Sequence, residues 1–380
     1  MKRTSVAVAV AFVQAAACTP TLDDATTRVD APRIVAIQAE PAEVAPGGTV
    51  VLTALIVAPP GVDIVAPPTW RFCTDRRPPT TSGPIAETCL DGETGGEDAP
   101  AASGERVTLE VPPTACRLFG PDPPPVEESD PAAAPDGGVR DATEVVAPGT
   151  AGRPTDPDFT GGYHQPVVVR LGEDGPPVVF GLRLTCNPAG ARRQDAAELR
   201  RFGHPNGAPR LSALDRLTDT AASVSLPGLE AQAEPPRFQR GTRLDLRARW
   251  PACPAEGRDA CGDEVCGPRE DATGCPADCA TPHPCAGGER YLTLDPAAGL
   301  TVRREGLQLT WFVTGGSLAR PRTGLAGVRE VSSGASAEVQ TTESANTWTL
   351  SEPGEHTLWV VIRDERGGTS WQGTRVEVGP

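Results

Sequence analysis

Forty-two prolines and 41 glycines are spread through 380 residues, and no other feature limits this chain as strongly. Helices of more than a few turns have almost no uninterrupted stretch in which to form. What remains between the breaks is short apolar runs, the raw material of strands joined by turns. The length suits two domains.

The runs fall into a repeated order. In the first half, apolar segments at 34–38 and 50–58 are separated by a Pro-Gly-Gly turn, and PTWRFC (68–73) carries Trp70 into a third. Further strands are expected at 106–111, 166–171 and 178–186. In the second half, GTRLDLRARW (241–250) matches GTVVLTALIV (48–57), and TWFV (310–313) matches TWRFC (69–73). Trp70 and Trp311 therefore occupy equivalent places, as core tryptophans of two sandwiches. The interval from first Gly to Trp is much longer in the second copy, and a run of six cysteines lies within it. The expected fold is all-β: two immunoglobulin-like antiparallel β-sandwiches, the second with an inserted disulfide-rich loop module. The domains are expected at 33–189 and 207–380, the cysteine-rich insertion at 251–290, and a short helical linker at 190–206. Residues 121–158, rich in Pro and acids and poor in large apolar groups, read as a disordered acidic loop within a first-domain insertion at about 120–162.

The carboxyl-terminal pattern Pro353-Gly354-x-His356-x-Leu358-x-Val360-x-Ile362-x-Asp364 resembles the PGTYTVTLTVTD signature of immunoglobulin-like PKD-type domains, with His356 where Tyr is usual. The resemblance implies a fold and a binding or spacing role, not an active site.

The amino terminus, MKRTSVAVAVAFVQAAAC, has a basic start, an apolar stretch too short to span a bilayer, and small residues before Cys18. This resembles the lipobox of bacterial lipoproteins, with Ala15 where Leu is usual. It implies removal of residues 1–17, lipidation of Cys18, a polar tether over 18–32, and anchoring at the cell envelope, at the outer membrane if Thr19 follows the usual sorting. The other ten cysteines, Cys73, Cys89, Cys116, Cys186, Cys253, Cys261, Cys266, Cys275, Cys279 and Cys285, then read as five disulfides in two separate systems.

Composition also excludes chemistry. The net charge of −15 becomes −17 once Lys2 and Arg3 are removed, which disfavours nucleic acid and anionic surfaces as partners. Lys2 is the one lysine, so the mature chain has no amine side chain for a Schiff base or a phosphate loop. His164, His204, His283 and His356 belong to no catalytic signature. The chain reads as not an enzyme.

Two candidate sites remain. The string CGDEVCGPREDATGCPADC resembles the CGDGxC…CPxDC modules of secreted bacterial proteins. It lacks the Cys-x2-Cys pairs of zinc knuckles, while Asp263, Glu264, Glu270, Asp271 and Asp278 offer hard oxygens to calcium. Trp359 and Trp371 face away from Leu358 and Val360 across the terminal hairpin, where they form an aromatic platform unless the first module covers them. The whole resembles surface lipoproteins of Gram-negative bacteria. It predicts a non-enzymatic binding or structural role, with an envelope protein or glycan as partner. The alternative is an accessory or carbohydrate-binding subunit of an envelope or secreted enzyme, marked by joint exposure of Trp359 and Trp371.

Overall fold

The computed structural model describes residues 26–64, 66–75, 85–91, 101–118, 160–172, 175–186, 193–218, 222–253, 273–279, 285–295, 299–325, 328–329 and 341–380. The first module contains β1 (Arg33–Glu40), β2 (Glu43–Val44), β3 (Thr49–Val57), β4 (Pro68–Phe72), β5 (Ala101–Ser103), β6 (Arg106–Glu110), β7 (Gly162–Leu171) and β8 (Val178–Thr185). They form two sheets, ordered β1-β3-β6 and β2-β8-β7-β4-β5.

The second module contains β9 (Ala213–Leu217), β10 (Ser223–Ser225), β11 (Arg237–Phe238), β12 (Arg243–Arg249), β13 (Arg290–Asp295), β14 (Gly299–Arg304), β15 (Leu307–Val313), β16 (Ser317–Leu318), β17 (Arg322–Leu325), β18 (Val328–Arg329), β19 (Glu343–Thr349), β20 (Gly354–Asp364) and β21 (Thr369–Val378). Its sheets run β10-β9-β12-β19-β16 and β11-β21-β20-β15-β17. The sheets β2-β8-β7-β4-β5 and β11-β21-β20-β15-β17 match strand for strand, including a parallel pair at one edge, β2 with β8 and β11 with β21, while the sheets facing them have three strands and five. The fold is all-β, with two immunoglobulin-like sandwiches.

Alternation of side chains explains the layers. Val50, Leu52 and Ala54 of β3 point into the first core, and Leu244, Leu246 and Ala248 of β12 into the second. Trp70 and Trp311 are fully buried at equivalent places. A buried indole N–H needs an acceptor, and each finds one: Trp70 Nε1 donates to Gly104 O (2.7 Å) and Trp311 Nε1 to Thr323 Oγ1 (2.9 Å).

The excess between the equivalents of β3 and β4 holds more than cysteines. Cys253 is bonded to Cys285, and directly after it the hairpin β13–β14 joins β18 in a third, three-stranded sheet. Helix α1 (Arg193–Phe202) precedes the second module and packs Ala196 against Leu294 and Leu300 of that hairpin. It ends at Gly203, whose N–H donates to Leu199 O (2.7 Å).

The modules pack face to face through a separate apolar cluster. Phe312, Trp359 and Val361, on the outer face of β15 and β20, meet Val29, Ala36 and Val57. Arg363 Nη2 donates to Val35 O (2.8 Å) across the same contact. The tether expected over 18–32 is therefore not free along its length. Val29 is fully buried, its N–H bonds to Val313 O (2.8 Å), and Arg28 forms a two-pronged pair with Glu352 (3.0 and 2.9 Å). Val29 docks because it fills the apolar space beside the second module, which outweighs the polarity of its neighbours.

Candidate functional site

The most unusual chemistry lies at the junction of the modules. Four buried carboxylates, Glu43, Glu289, Glu305 and Asp364, gather around two buried guanidiniums, Arg183 and Arg366. They come from five stretches: Glu43 opens β2, Arg183 lies in β8, Glu289 and Glu305 flank the β13–β14 hairpin, and Asp364 and Arg366 lie where β20 turns towards β21.

Arg183 Nε donates to Glu43 Oε2 (2.9 Å), and its Nη2 also bonds Thr160 Oγ1. A Cβ at Gly162 would lie 2.1 Å from Arg183 Nη2, so that glycine is what leaves room for the guanidinium. Glu43 also accepts from the Asn206 backbone N–H (2.8 Å) and from Thr185 Oγ1 (3.1 Å). The linker is thereby fastened to the first module.

The other half centres on Arg366. Its Nε donates to Glu305 Oε1 (2.8 Å) and its Nη2 to Glu289 Oε1, while the guanidinium lies 4.6 Å from the centre of the Tyr291 ring. Asp364 Oδ1 accepts from the backbone N–H groups of Arg366 (2.9 Å) and Gly368 (2.8 Å), and Asn206 Nδ2 donates to both Asp364 oxygens (3.3 and 3.2 Å). Glu289 Oε1 accepts from Gly207 N–H (3.1 Å), and Glu305 Oε2 from Glu289 N–H (3.2 Å). Asn206 thus bridges a carboxylate of each module.

Keeping four ionised carboxylates in the interior is costly. Glu289, Glu305 and Asp364 respond by binding protons more tightly than carboxyls in water. Desolvation raises Glu289 to about 7 against the attraction of Arg366, and raises Asp364 to about 6. Burial likewise holds Glu305 well above the usual carboxylate range, with Arg366 pulling the other way. Arg366 is held charged by Glu289 and Glu305 against its own burial. Desolvation and the bond to Glu365 keep the Tyr291 phenol above its ordinary range.

Beside this cluster lies a cavity of about 440 Å³, walled by Glu43, Thr160, His204, Tyr291, Arg366 and the Cys116–Cys186 disulfide. Its size is that of a small-ligand pocket, and a junction of modules is where such pockets occur. Arg366 takes the central place that a metal would need, and among the described residues no group of three His, Cys, Asp or Glu side chains could hold one.

The expected site residues fare differently. Cys73–Cys89, Cys116–Cys186 and Cys253–Cys285 are disulfides with Cα separations of 5.5, 5.7 and 5.6 Å. Cys275 and Cys279 are also disulfide-bonded. The three bridges with both cysteines described keep to the two systems, within the first module and within the cysteine-rich insertion, and they place the chain in an oxidising compartment. Cys18, Cys261, Cys266, His283, the acidic loop 121–158 and four calcium candidates, Asp263, Glu264, Glu270 and Asp271, lie outside the described residues. Asp278, the fifth, is buried in the short turn Pro276–Cys279.

The aromatic platform is not there. Trp359 is only 7% exposed and Trp371 is half-buried, both within the cluster that joins the modules. Trp359 sits opposite Gly373, whose missing side chain leaves space for the indole beside Leu229. The face is apolar because it is an internal contact. His356 is a strand residue whose Nε2 donates to Glu352 O (2.8 Å), the kind of bond to upstream backbone that a Tyr makes at this corner of such sandwiches.

The sequence reading missed the ionic cluster. The one signal was Asp364, the last position of the PKD-like pattern. Its partners stand one or two to a segment, each in a strand or turn where a lone charge reads as solvated.

No family model and no curated protein matches the chain. Among solved structures, trypsin-activated alpha-2-macroglobulin from Escherichia coli is similar over 93% of this chain and 17% of its own length, at 8% identity and a TM-score of 0.17. The chain spans about a sixth of that protein, and a likeness at this level carries no argument about fold or function.

Proposed function

We propose that this is a lipid-anchored protein of the cell envelope with a non-enzymatic binding or structural role, held at the membrane, the outer one by its sorting residue, through Cys18. The observation that carries the role is the junction. Two sandwiches are joined at once by an apolar cluster and by buried Asn206, which bonds Glu43 of the first and Asp364 of the second, and such a double contact makes the pair one rigid unit rather than two modules on a hinge. A rigid tandem suits a spacer or a scaffold that presents a partner-binding surface, and the junction cavity offers a recess of mixed polar and apolar lining for a small group of that partner. The disulfides fit an exported chain, and among the described residues no helix is long and apolar enough to cross a membrane. The carbohydrate-binding alternative has lost the exposed tryptophan pair on which it rested.

The test is the intact mass of the protein extracted from its native membrane, without reduction, before and after thiol alkylation. The expected mass starts at a lipid-modified Cys18, is one hydrogen lighter for each of the other cysteines, and does not change with alkylating reagent. An unmodified Cys18 would refute the anchor, and reactive thiols would refute the bridges.

A further inference from the structure

The start of β1 shows which end of the first module lies towards the anchor. Arg33 pairs with Val57, the last residue of β3, and its guanidinium donates to the carbonyls of Thr26 (3.0 Å) and Arg28 (2.9 Å). Thr26 is therefore within one arginine side chain of the point where β3 leaves its sheet. Eight Cα-to-Cα steps lead from Thr26 to Cys18, a reach of at most about 28 Å when fully extended.

The loop from β3 to β4 rises from this same end. It turns at Gly61, which has φ +76°, and the Val62 N–H closes onto Pro59 O (3.1 Å). Beyond the turn stand Val62 and Ile64, 46% and 44% exposed, two of the three large apolar side chains that the described residues leave to water. The β7–β8 loop lies alongside, with a Cβ on Gly172 falling 3.6 Å from that of Ala66, and it adds the exposed Pro176 and Pro177. Of the charged residues in these two loops, Asp63 is described, and Glu173 and Asp174 lie outside the described residues.

We propose that this end of the first module faces the bilayer and that Val62 and Ile64 enter its interface, giving the protein a second membrane contact beside its lipid. The inference rests on the lipid-anchor reading above. A bilayer is favoured over a protein partner because the tether fixes the membrane within reach of this end, whatever else the protein meets. The contact is hydrophobic, since a chain this acidic gains nothing from anionic headgroups, and it is insensitive to salt. A shallow insertion of this kind adds to an acyl chain in the way a second anchoring signal does.

The test uses the full lipidated chain with Ile64→Trp, bound to phosphatidylcholine vesicles with and without brominated acyl chains. Wild-type emission on the same vesicles is subtracted to remove the six native tryptophans. The expected result is a blue shift of the added emission and its loss in brominated lipid, unchanged at high salt. Val62→Trp gives a second reading should the Ile64 variant fold poorly. If the chain floats with the vesicles while the added emission stays that of water and is quenched by iodide, the loop contact is overturned and the anchor stands. If the chain carries no lipid and does not float, the anchor has failed and the contact fails with it.

Discussion

Replacing Arg366 with Met tests the junction most directly. Methionine fills much of the same space but leaves Glu289 and Glu305 without their guanidinium, and removing one partner of a buried ion pair costs roughly 3–5 kcal/mol. The cost depends on pH. In the native protein the raised carboxyls bind protons more tightly than in the unfolded chain. Their stabilising contribution is therefore complete below the unfolded value of 4.5 and is lost as pH rises through about 7, where Glu289 ionises. Arg366 holds Glu289 and Glu305 lower than burial alone would. Without it both climb further, and above pH 7 the variant loses up to about 1.4 kcal/mol more than wild type for each pH unit and each carboxyl that must stay protonated. Urea unfolding at pH 5.5 and pH 8, followed by the fluorescence of buried Trp311 and Trp348, reads both numbers. Arg366→Met should lower the midpoint at both values and more steeply at pH 8. An equal shift at the two, or none, would refute the claim that the cluster is a set of desolvated carboxyls organised by Arg366.

Three further outcomes follow from other parts of the junction and the cores. Trp359→Ala removes the more buried of the two tryptophans of the cross-module cluster and should cost about 3–5 kcal/mol, with the modules becoming separable by limited proteolysis; unchanged resistance to protease would contradict the rigid pairing. Gly162→Ala places a methyl group 2.1 Å from Arg183 Nη2, so thermal unfolding should shift by about 1–3 kcal/mol of lost stability, and wild-type behaviour would mean that Arg183 has another place to go. Converting Cys73 and Cys89 to Ser together opens a loop of sequence separation 16 and should cost about 3 kcal/mol in chemical denaturation, confined to the first module.

Much of the architecture is written in local pattern. Proline and glycine rule out long helices wherever they stand, and two-residue alternation marks the buried face of a strand, so Leu358, Val360 and Ile362 declare one face of β20 and Trp359 and Val361 the other. The duplicated Thr-Trp segments likewise reveal two equivalent cores, and the clustering of cysteines in an exported-looking chain foretells bridges within modules. None of these needs more than neighbours along the chain.

What the pattern leaves open is the destination of the outer faces and of isolated charges. Trp359 and Trp371 look the same in sequence whether they meet a glycan, solvent or the first module; only the docking of β1 onto β20 and β21 made them an interior. The hairpin β13–β14 was hidden because its strands carry arginines and lack a repeat partner. Glu43, Arg183, Asn206, Glu289, Glu305, Asp364 and Arg366 are drawn from positions up to 323 residues apart, and each alone reads as a surface residue. A buried charge is tolerable only beside its complement, and which complement it meets is fixed by the packing of one module on the other, a long-range fact that alternation and turn signals do not encode.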